Sequence, residues 1–210
     1  MKFEHTEVFN FDGALRGMRN PLESWDKKDS YQKSARYHLG ENDLKLAQKL
    51  IRAGTDHSKF MRQIIVSVDI TAPLYWWKEL DTYKVGTVAN STSTMHKLAS
   101  TPVTADMIED VSEFRELGLE HIIFNVLKDC ERLRLLYNKT GDKRYWKALI
   151  KLLPESWLQT RTVTMSYQNI RAIGKARKNH KLTEWSVDTM KWIEELPYSK
   201  ELITFDEETE

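Results

Sequence analysis

Polar side chains that could bind a ligand are concentrated between Val85 and Ser100, a stretch rich in Gly, Thr, Asn and Ser. A segment of this composition cannot bury much apolar surface, so it is predicted to be an exposed loop. It follows a helix led by Ala72-Pro73, and loops held on rigid elements commonly carry binding groups. The pattern therefore predicts a segment that is placed to contact a ligand.

The histidines and the single cysteine do not form a catalytic or metal-binding pattern. The six histidines are His5, His38, His57, His96, His121 and His180. Their spacing fits no metal site, and the His-Glu-x-x-His, P-loop, Gly-x-Gly-x-x-Gly and Gly-x-Ser-x-Gly motifs are absent. Cys130 occupies an apolar helical position, where burial raises the pKa of a thiol and leaves it unreactive. We therefore expect no metal site and no cysteine nucleophile.

Two pairs of a strand and a following helix are the clearest structural signals. Gln63–Ile70 carries β-branched and aliphatic residues on both faces and is predicted to be a central strand, with Pro73 in the first turn of the next helix. The Thr-bearing residues 158–164 predict another strand, followed by a helix over 166–178. Further predicted elements are a strand over 2–11, helices over 12–18, 44–53, 122–138, 142–152 and 183–196, and a loop over 20–30. Short, scattered strands separated by many helices predict an α+β fold with a small sheet and a dominant helical layer.

The first of these pairs lies within a longer pattern. His57 follows Gly54 and precedes the apolar strand, the helix led by Ala72-Pro73 comes next, and Thr82-Tyr83-Lys84 follows that helix. This order resembles the flavin-dependent thymidylate synthase family, in which a Gly-His segment, an apolar strand and an Ala-Pro-led helix ending in Gln-x-x-Arg-His-Arg precede Ser-x-Asn-Glu-x-Ser. The distance from His57 to the triplet looks the same as in that family.

The second pair extends the resemblance. Leu152-Leu153-Pro154, the Thr-bearing strand, the helix ending at Arg177 and then Leu182-Thr-Glu-Trp185 look like the family's C-terminal half. That half runs Leu-Pro, a Thr-containing strand, an Asn-x-Arg helix ending in Arg, and a Gln-Trp-type segment. The two stretches cover about half of the chain in the family's order.

The resemblance implies a fold, an assembly and a reaction. The fold would be a small antiparallel sheet flanked by helices, assembled as a homotetramer with the site between subunits. There FAD would carry hydride and methylene folate would supply the carbon that converts dUMP to dTMP. The residues implied are His57, Lys84 and Asn90 for the cofactor, Glu79, Ser93 and Arg177 for the substrate, and Arg177 as the catalytic group that polarises the uracil.

The sequence departs from the family at its signature. Thr82-Tyr83-Lys84 replaces Arg-His-Arg, Glu79 replaces a Gln, and Ser166 and Gln168 stand at the Asn and Arg positions of the second helix. Lysine cannot reproduce the planar fork of arginine, and each lost charge-assisted partner costs about 1.5–3 kcal/mol. Two such losses weaken binding by about 10²–10⁴-fold unless other cations compensate. The nearby candidates for compensation are Arg62, Lys78, Arg161, Arg171 and Lys175.

Two functional hypotheses follow from the resemblance, and a third rejects it. The chain is a flavin-dependent thymidylate synthase-like enzyme, or a non-catalytic relative kept for nucleotide binding or as an oligomeric scaffold, or an unrelated helical protein with accidental matches. Each candidate residue also has a structural alternative. Asn90 and Ser93 could belong to a solvated turn and cap, His57 could stand at a helix start, and Arg177 and Lys84 could be helix-end charges.

Composition narrows the classes of partner. The 210 residues carry 32 Lys and Arg against 31 Asp and Glu, and this balance argues against a strongly basic nucleic-acid binder. No stretch approaches the roughly 20 apolar residues of a membrane span, and the N-terminus lacks an apolar signal core. We expect a cytoplasmic homo-oligomer that binds a nucleotide but neither a membrane nor nucleic acid. Residues 1–204 are predicted to form one domain, followed by an acidic tail over 205–210.

Overall fold

The structure, a computed structural model, describes residues 1–34 and 36–205, without the side chains of residues 94 and 95. Of the acidic tail predicted over 205–210, only Phe205 falls within the described residues. Among the helices of these residues, none is both long enough and apolar enough to span a membrane.

The described residues contain six strands and nine α-helices. The strands are β1 (Lys2–Phe9), β2 (Tyr31–Lys33), β3 (Arg36–His38), β4 (Ile65–Pro73), β5 (Val88–Ser91) and β6 (Leu158–Ser166). The helices are α1 (Phe11–Gly17), α2 (Glu41–Arg52), α3 (Leu74–Leu80), α4 (Thr94–Lys97), α5 (Ser112–Glu116), α6 (Glu120–Thr140), α7 (Lys143–Leu152), α8 (Tyr167–Arg177) and α9 (Met190–Glu195). Two π-helices, Glu184–Thr189 and Ser199–Ile203, flank α9. The predicted helix over 183–196 is therefore a π-helix followed by a short α-helix.

The main sheet is antiparallel and has four strands in the order β1-β4-β6-β5. β4 lies inside the sheet, and its residues alternate between fully and partly buried positions. Val66, Val68 and Ile70 are on the fully buried face. The central position predicted for this strand and the predicted α+β class are confirmed.

Two sequence predictions near this sheet were wrong in detail. Pro73 is the last residue of β4 and the N-cap of α3, with extended backbone angles, rather than a first-turn residue. The stretch from Val85 to Ser100, predicted to be a loop, contains strand β5 and helix α4. All four residues of β5 are exposed, so the strand lacks the buried apolar positions by which a strand is recognised in a sequence.

The chain divides into two compact units, the first comprising residues 1–2, 70–82 and 90–162. Its core surrounds α6 and α7, which pack on each other. Gly141, at a φ of 68°, ends α6, and the Asp142 carboxylate accepts the backbone N–H of Arg144 at 2.9 Å. The boundary between the helices predicted over 122–138 and 142–152 is therefore confirmed.

The second unit comprises residues 3–34, 36–69, 83–89 and 163–205. Helix α8 packs against the 3₁₀ turn Lys59–Arg62, α9 and the second π-helix. The buried Arg171 of α8 donates from Nη1 to the backbone carbonyl oxygen of Phe205 at 3.3 Å and to that of Ile203. Arg171 therefore anchors the end of the described chain onto α8.

A short hairpin in the second unit was not predicted. β2 and β3 pair antiparallel, with Gln32 opposite Tyr37 and Lys33 opposite Arg36. Each strand has three residues, and most of their side chains are polar, so neither strand shows a usable hydrophobic period.

Candidate functional site

Helix α8 fixes the position of the segment that follows α3 in sequence. Near its start, the Asn169 side chain donates from Nδ2 to the carbonyl oxygen of Val85 at 2.6 Å. At its end, the Arg177 side chain donates from Nε to the hydroxyl of Tyr83 at 3.2 Å. The helix therefore holds residues 83–85 at two points, eight residues or about 12 Å apart along its axis.

The end of α8 carries a cation enclosed by aromatic rings. The Arg177 guanidinium carbon lies 4.9 Å from the centre of the Trp185 ring and 5.7 Å from the centre of the Tyr83 ring. Trp185 is fully buried, whereas Arg177 and Tyr83 are half-buried. A guanidinium held over aromatic faces and by its Nε keeps a fixed direction, which suits it to recognise a carbonyl or an anion.

The start of α8 carries a polar cap. The Ser166 hydroxyl accepts the backbone N–H of Asn169 at 3.3 Å and is also hydrogen-bonded to the Asn169 side-chain oxygen. This arrangement orients the Asn169 amide so that its N–H₂ group faces Val85. A Cβ on Gly86, where φ is 74°, would lie 3.2 Å from the same Asn169 oxygen, so the backbone passes close to this side chain.

The two other candidate residues in this unit lie at opposite ends of α8. His57 is exposed, and its neighbour Ser58 donates to the Gln168 side-chain oxygen at 3.3 Å, near the start of the helix. Lys84 adjoins Tyr83, near the end of the helix, and it too is exposed. Within residues 1–34 and 36–205, Lys84 has no ion-pair partner, so its charge is available to a ligand. The helix thus brings Lys84 towards Arg177 and holds the segment carrying His57 at its other end.

The remaining candidates, Glu79, Asn90 and Ser93, belong to the first unit. Glu79 is half-buried on α3, and its carbonyl oxygen accepts the Thr82 hydroxyl at 2.7 Å. Asn90 is exposed on the edge strand β5. The Ser93 hydroxyl accepts the backbone N–H of His96 at 3.0 Å and so caps α4.

Several of the cations proposed as compensation make contacts within their own unit. Arg161 pairs with Asp81 at 2.8 Å, and its guanidinium carbon lies 4.2 Å from the centre of the Trp77 ring. Arg171 is buried among backbone carbonyls. Arg62 donates to the Thr55 carbonyl oxygen, and Lys78 pairs with Glu155. These contacts oppose a role for these side chains in replacing the missing arginines.

Neither thiol nor metal chemistry is supported by the arrangement. Cys130 is fully buried, and burial, reinforced by the nearby Asp129, raises the pKa of its thiol to about 11. The burial predicted for Cys130 from the helical pattern is therefore confirmed. Within the part of the chain that the structure describes, no group of three or more His, Cys, Asp or Glu side chains is placed to hold a metal ion.

Comparison with known proteins connects this geometry to one fold. No family model matches the sequence, and no match was found among the curated proteins. The chain is similar to a crystal structure of the flavin-dependent thymidylate synthase ThyX from Helicobacter pylori complexed with FAD and dUMP, with a TM-score of 0.69 and 15% identity over 97% of this chain and 98% of that one. A second ThyX structure from this organism, also with FAD and dUMP, gives a TM-score of 0.70 and 16% identity over 97% of each chain. The chain has the flavin-dependent thymidylate synthase fold.

The flavin-dependent thymidylate synthase fold extends well beyond the two stretches that resembled the family. The resemblance built on His57, the triplet and Arg177 covered about half of the chain, whereas the structural match covers 97% of it. The fold implied by those residues is therefore confirmed.

Two side chains of the thymidylate synthase-like fold were missed as parts of a candidate site. Tyr83 was noted only as a replacement for a histidine, although its hydroxyl contacts Arg177. Asn169 was not considered, although it follows Gln168 directly and holds Val85. Asn169 lies three residues after the helix-capping Ser166, and this spacing was the one available signal for its position.

Proposed function

We propose that this chain is a flavin-dependent thymidylate synthase-like protein that binds dUMP and FAD and transfers a carbon from methylene folate to the uracil. The observation that supports this most directly is the Arg177 guanidinium, held by the Tyr83 hydroxyl and two aromatic rings on a chain with that fold. In this proposal the active species is a homotetramer, and residues 1–204 act as one functional domain.

Arg177 has the central role in this proposal. Its guanidinium would donate to a uracil carbonyl and stabilise the enolate character that develops when the ring is alkylated. Such stabilisation needs a donor whose direction is set before the reaction, and the Tyr83 and Trp185 contacts provide that restraint. Ser93 and Glu79 would orient the nucleotide.

The residues present fit a cofactor that carries phosphate groups. Lys84 is exposed and offers a charge, and the side-chain amide of Asn90 is exposed on its edge strand. Lys84 and Asn90 would hold the phosphates or the flavin, and His57 would lie near the ring system. When bound in its reduced form, FADH2, the flavin would supply the hydride for the reductive step and would be left as FAD.

A second candidate function is favoured by the engagement of the neighbouring cations. Arg161 and Arg171 are held by Asp81 and by backbone carbonyls, so they do not offset the loss of Arg-His-Arg. A relative with weakened phosphate contacts could keep a nucleotide site without turnover. This second candidate is a non-catalytic nucleotide-binding or scaffold protein.

The two candidates are separated by Arg177→Ala and the matched control Lys178→Ala, which removes the same charge from the next, exposed residue. We expect dUMP affinity, measured by calorimetry, to fall about 10- to 150-fold in Arg177→Ala, because a charge-assisted hydrogen bond contributes about 1.5–3 kcal/mol. We expect Lys178→Ala to bind as the parent does. The parent should also turn yellow with added FAD and support growth of a thymidine-requiring strain, whereas Arg177→Ala should not support growth.

The outcomes distinguish the candidates clearly. Binding of dUMP that depends on Arg177, without growth in any variant, would favour the non-catalytic relative. A parent protein that binds neither FAD nor dUMP would contradict both candidates.

A further inference from the structure

A cavity of about 660 Å³ lies within the second unit and shares no residue with the Arg177 cluster. It is formed by the first strand, the β2–β3 hairpin and the segment that ends α9. Its lining includes Gln32, Arg36, Tyr37, Trp192, Glu195 and Tyr198. This volume lies within the range of about 300–1,000 Å³ that is typical of sites for small molecules.

Two of the aromatic residues that line the cavity have their polar ends paired inside the protein. The Trp192 indole N–H donates to the Thr6 hydroxyl at 3.1 Å, and Phe3 stacks on the same ring at a centroid distance of 4.9 Å. The Tyr198 hydroxyl donates to the Tyr37 carbonyl oxygen at 2.6 Å and accepts a backbone N–H. Because these polar ends are already paired inside the protein, a flat ring is the ligand group that the walls suit best.

Three polar groups of the cavity remain available for a ligand. Glu195 lies one helical turn after Trp192, on the same face of α9, and its carboxylate accepts hydrogen bonds. The Gln32 amide N–H₂ donates to the Ser34 carbonyl oxygen at 2.7 Å, which leaves its own carbonyl oxygen as a second acceptor. Arg36 provides a cation. Among the residues that the structure describes, neither Glu195 nor Arg36 has an ion-pair partner.

The backbone around the cavity is held in uncommon conformations. Asn10 and Tyr198 both line it and both have positive φ values, of 68° and 56°. A bulky residue such as tyrosine adopts this region at a cost, and such strain concentrates where a protein positions groups for a ligand. At Tyr198 the conformation begins the π-helix Ser199–Ile203 and coincides with the hydroxyl contact to Tyr37.

We propose that this cavity binds a guanine mononucleotide. The base would lie against the aromatic wall, with its adjacent N1–H and N2–H groups donating to the Glu195 carboxylate and its phosphate paired with Arg36. Uracil has one N–H between two carbonyl oxygens. These carbonyl oxygens would face the acceptor oxygens of Glu195 and Gln32, which would repel them. The site is therefore separate from the proposed dUMP site in both position and preference.

The test is calorimetric titration of the full chain with GMP, UMP and guanosine. We expect GMP to bind at least tenfold more tightly than UMP, which presents the wrong edge, and than guanosine, which lacks the phosphate. We expect Glu195→Gln to weaken GMP binding about 10- to 150-fold. Glu194→Gln removes the same charge from an exposed neighbour that does not line the cavity and should bind GMP as the parent does.

The phosphate contact has its own matched pair. Arg36→Gln should weaken GMP binding at least tenfold, whereas Lys33→Gln, directly opposite in the hairpin and outside the cavity lining, should not. Both changes are on exposed side chains, so circular dichroism should show unchanged folding. The proposal would be overturned by absence of GMP binding at millimolar concentration, by equal UMP binding, by GMP affinity unchanged in Glu195→Gln, or by displacement of GMP by saturating dUMP.

Discussion

The buried ion pair of Arg19 and Asp43 should make Asp43→Asn one of the most damaging conservative substitutions in the second unit. The Arg19 Nε and the Asp43 Oδ1 are 2.7 Å apart, and the two residues are 3% and 0% exposed. The other Asp43 oxygen accepts the backbone N–H groups of Ser30 at 2.9 Å and Asp29 at 3.3 Å. Asparagine keeps the size of the side chain but replaces one acceptor with a donor and leaves Arg19 without its counter-charge.

The magnitude follows from the burial of both partners. Removing one member of a buried pair costs about 3–5 kcal/mol, because the remaining charge stays buried without compensation. A domain of this size loses about 2–4 °C of Tm for each kcal/mol, so a fall of roughly 6–20 °C is expected. Glu41→Gln is the matched control, because it removes the same charge from the same helix. The Glu41 side chain is 88% exposed and lies 3.7 Å from Lys45, so its loss should cost about 0.5 kcal/mol or less.

Urea unfolding followed by circular dichroism would give both free energies. The double variant Arg19→Met, Asp43→Asn provides a second check, because it removes the unpaired buried guanidinium while the remaining amide oxygen can still accept the Ser30 and Asp29 N–H groups. It should be more stable than Asp43→Asn. A loss in Asp43→Asn no larger than that in Glu41→Gln would refute this reasoning, because it would mean that the pair is effectively solvated.

Two further predictions concern titratable groups of the first unit. The pKa of the Cys130 thiol is raised to about 11, so iodoacetamide at pH 8 should label the protein in urea but not in its native state. Mass spectrometry would detect the label. Rapid labelling of the native protein would contradict the burial of Cys130. The hydrogen bonds from Arg134, at 2.6 and 2.7 Å, lower the pKa of Glu131 below its ordinary value of 4.5. The Glu131 carboxylate therefore stabilises the fold fully above pH 4.5, and this contribution is lost as the pH falls through the lowered pKa. The stability difference between the parent and Glu131→Gln in urea unfolding should therefore be largest at pH 7 and shrink towards pH 3, and a constant difference would contradict this assignment.

The parts of the fold that could be predicted were those whose local pattern agreed with their environment. The apolar residues of Gln63–Ile70 indicated a central strand, and Gly141 and Asp142 marked a helix boundary, because burial and capping have direct signatures in residue type. The hairpin strands Tyr31–Lys33 and Arg36–His38 have mostly polar side chains, and the exposed strand Val88–Ser91 pairs with β6, which is distant in sequence. No local rule identifies such elements.

The candidate site shows the same division. Arg177 could be identified because it ends a recognisable helix, whereas Tyr83, inside a recognisable triplet, was noted only as the replacement of a histidine. That the hydroxyl of one meets the guanidinium of the other, across 94 residues of sequence, could not be predicted from residue spacing. The engagement of Arg161 by Asp81 and Trp77 likewise depends on how β6 is placed beside α3, which only the structure reveals.

The hydrogen bond from Asn169 to Val85 affects when, during protein synthesis, the segment of residues 82–86 can adopt its final conformation. The Val85 carbonyl is bound by Asn169, which lies 84 residues further along the chain, and the Tyr83 hydroxyl is bound by Arg177, which follows later still. During synthesis from the N-terminus, the ribosome has already released residues 82–86 well before helix α8 emerges. This part of the molecule is therefore completed among the last, and a nascent chain halted before α8 carries its triplet without either of the contacts that hold it in the finished protein.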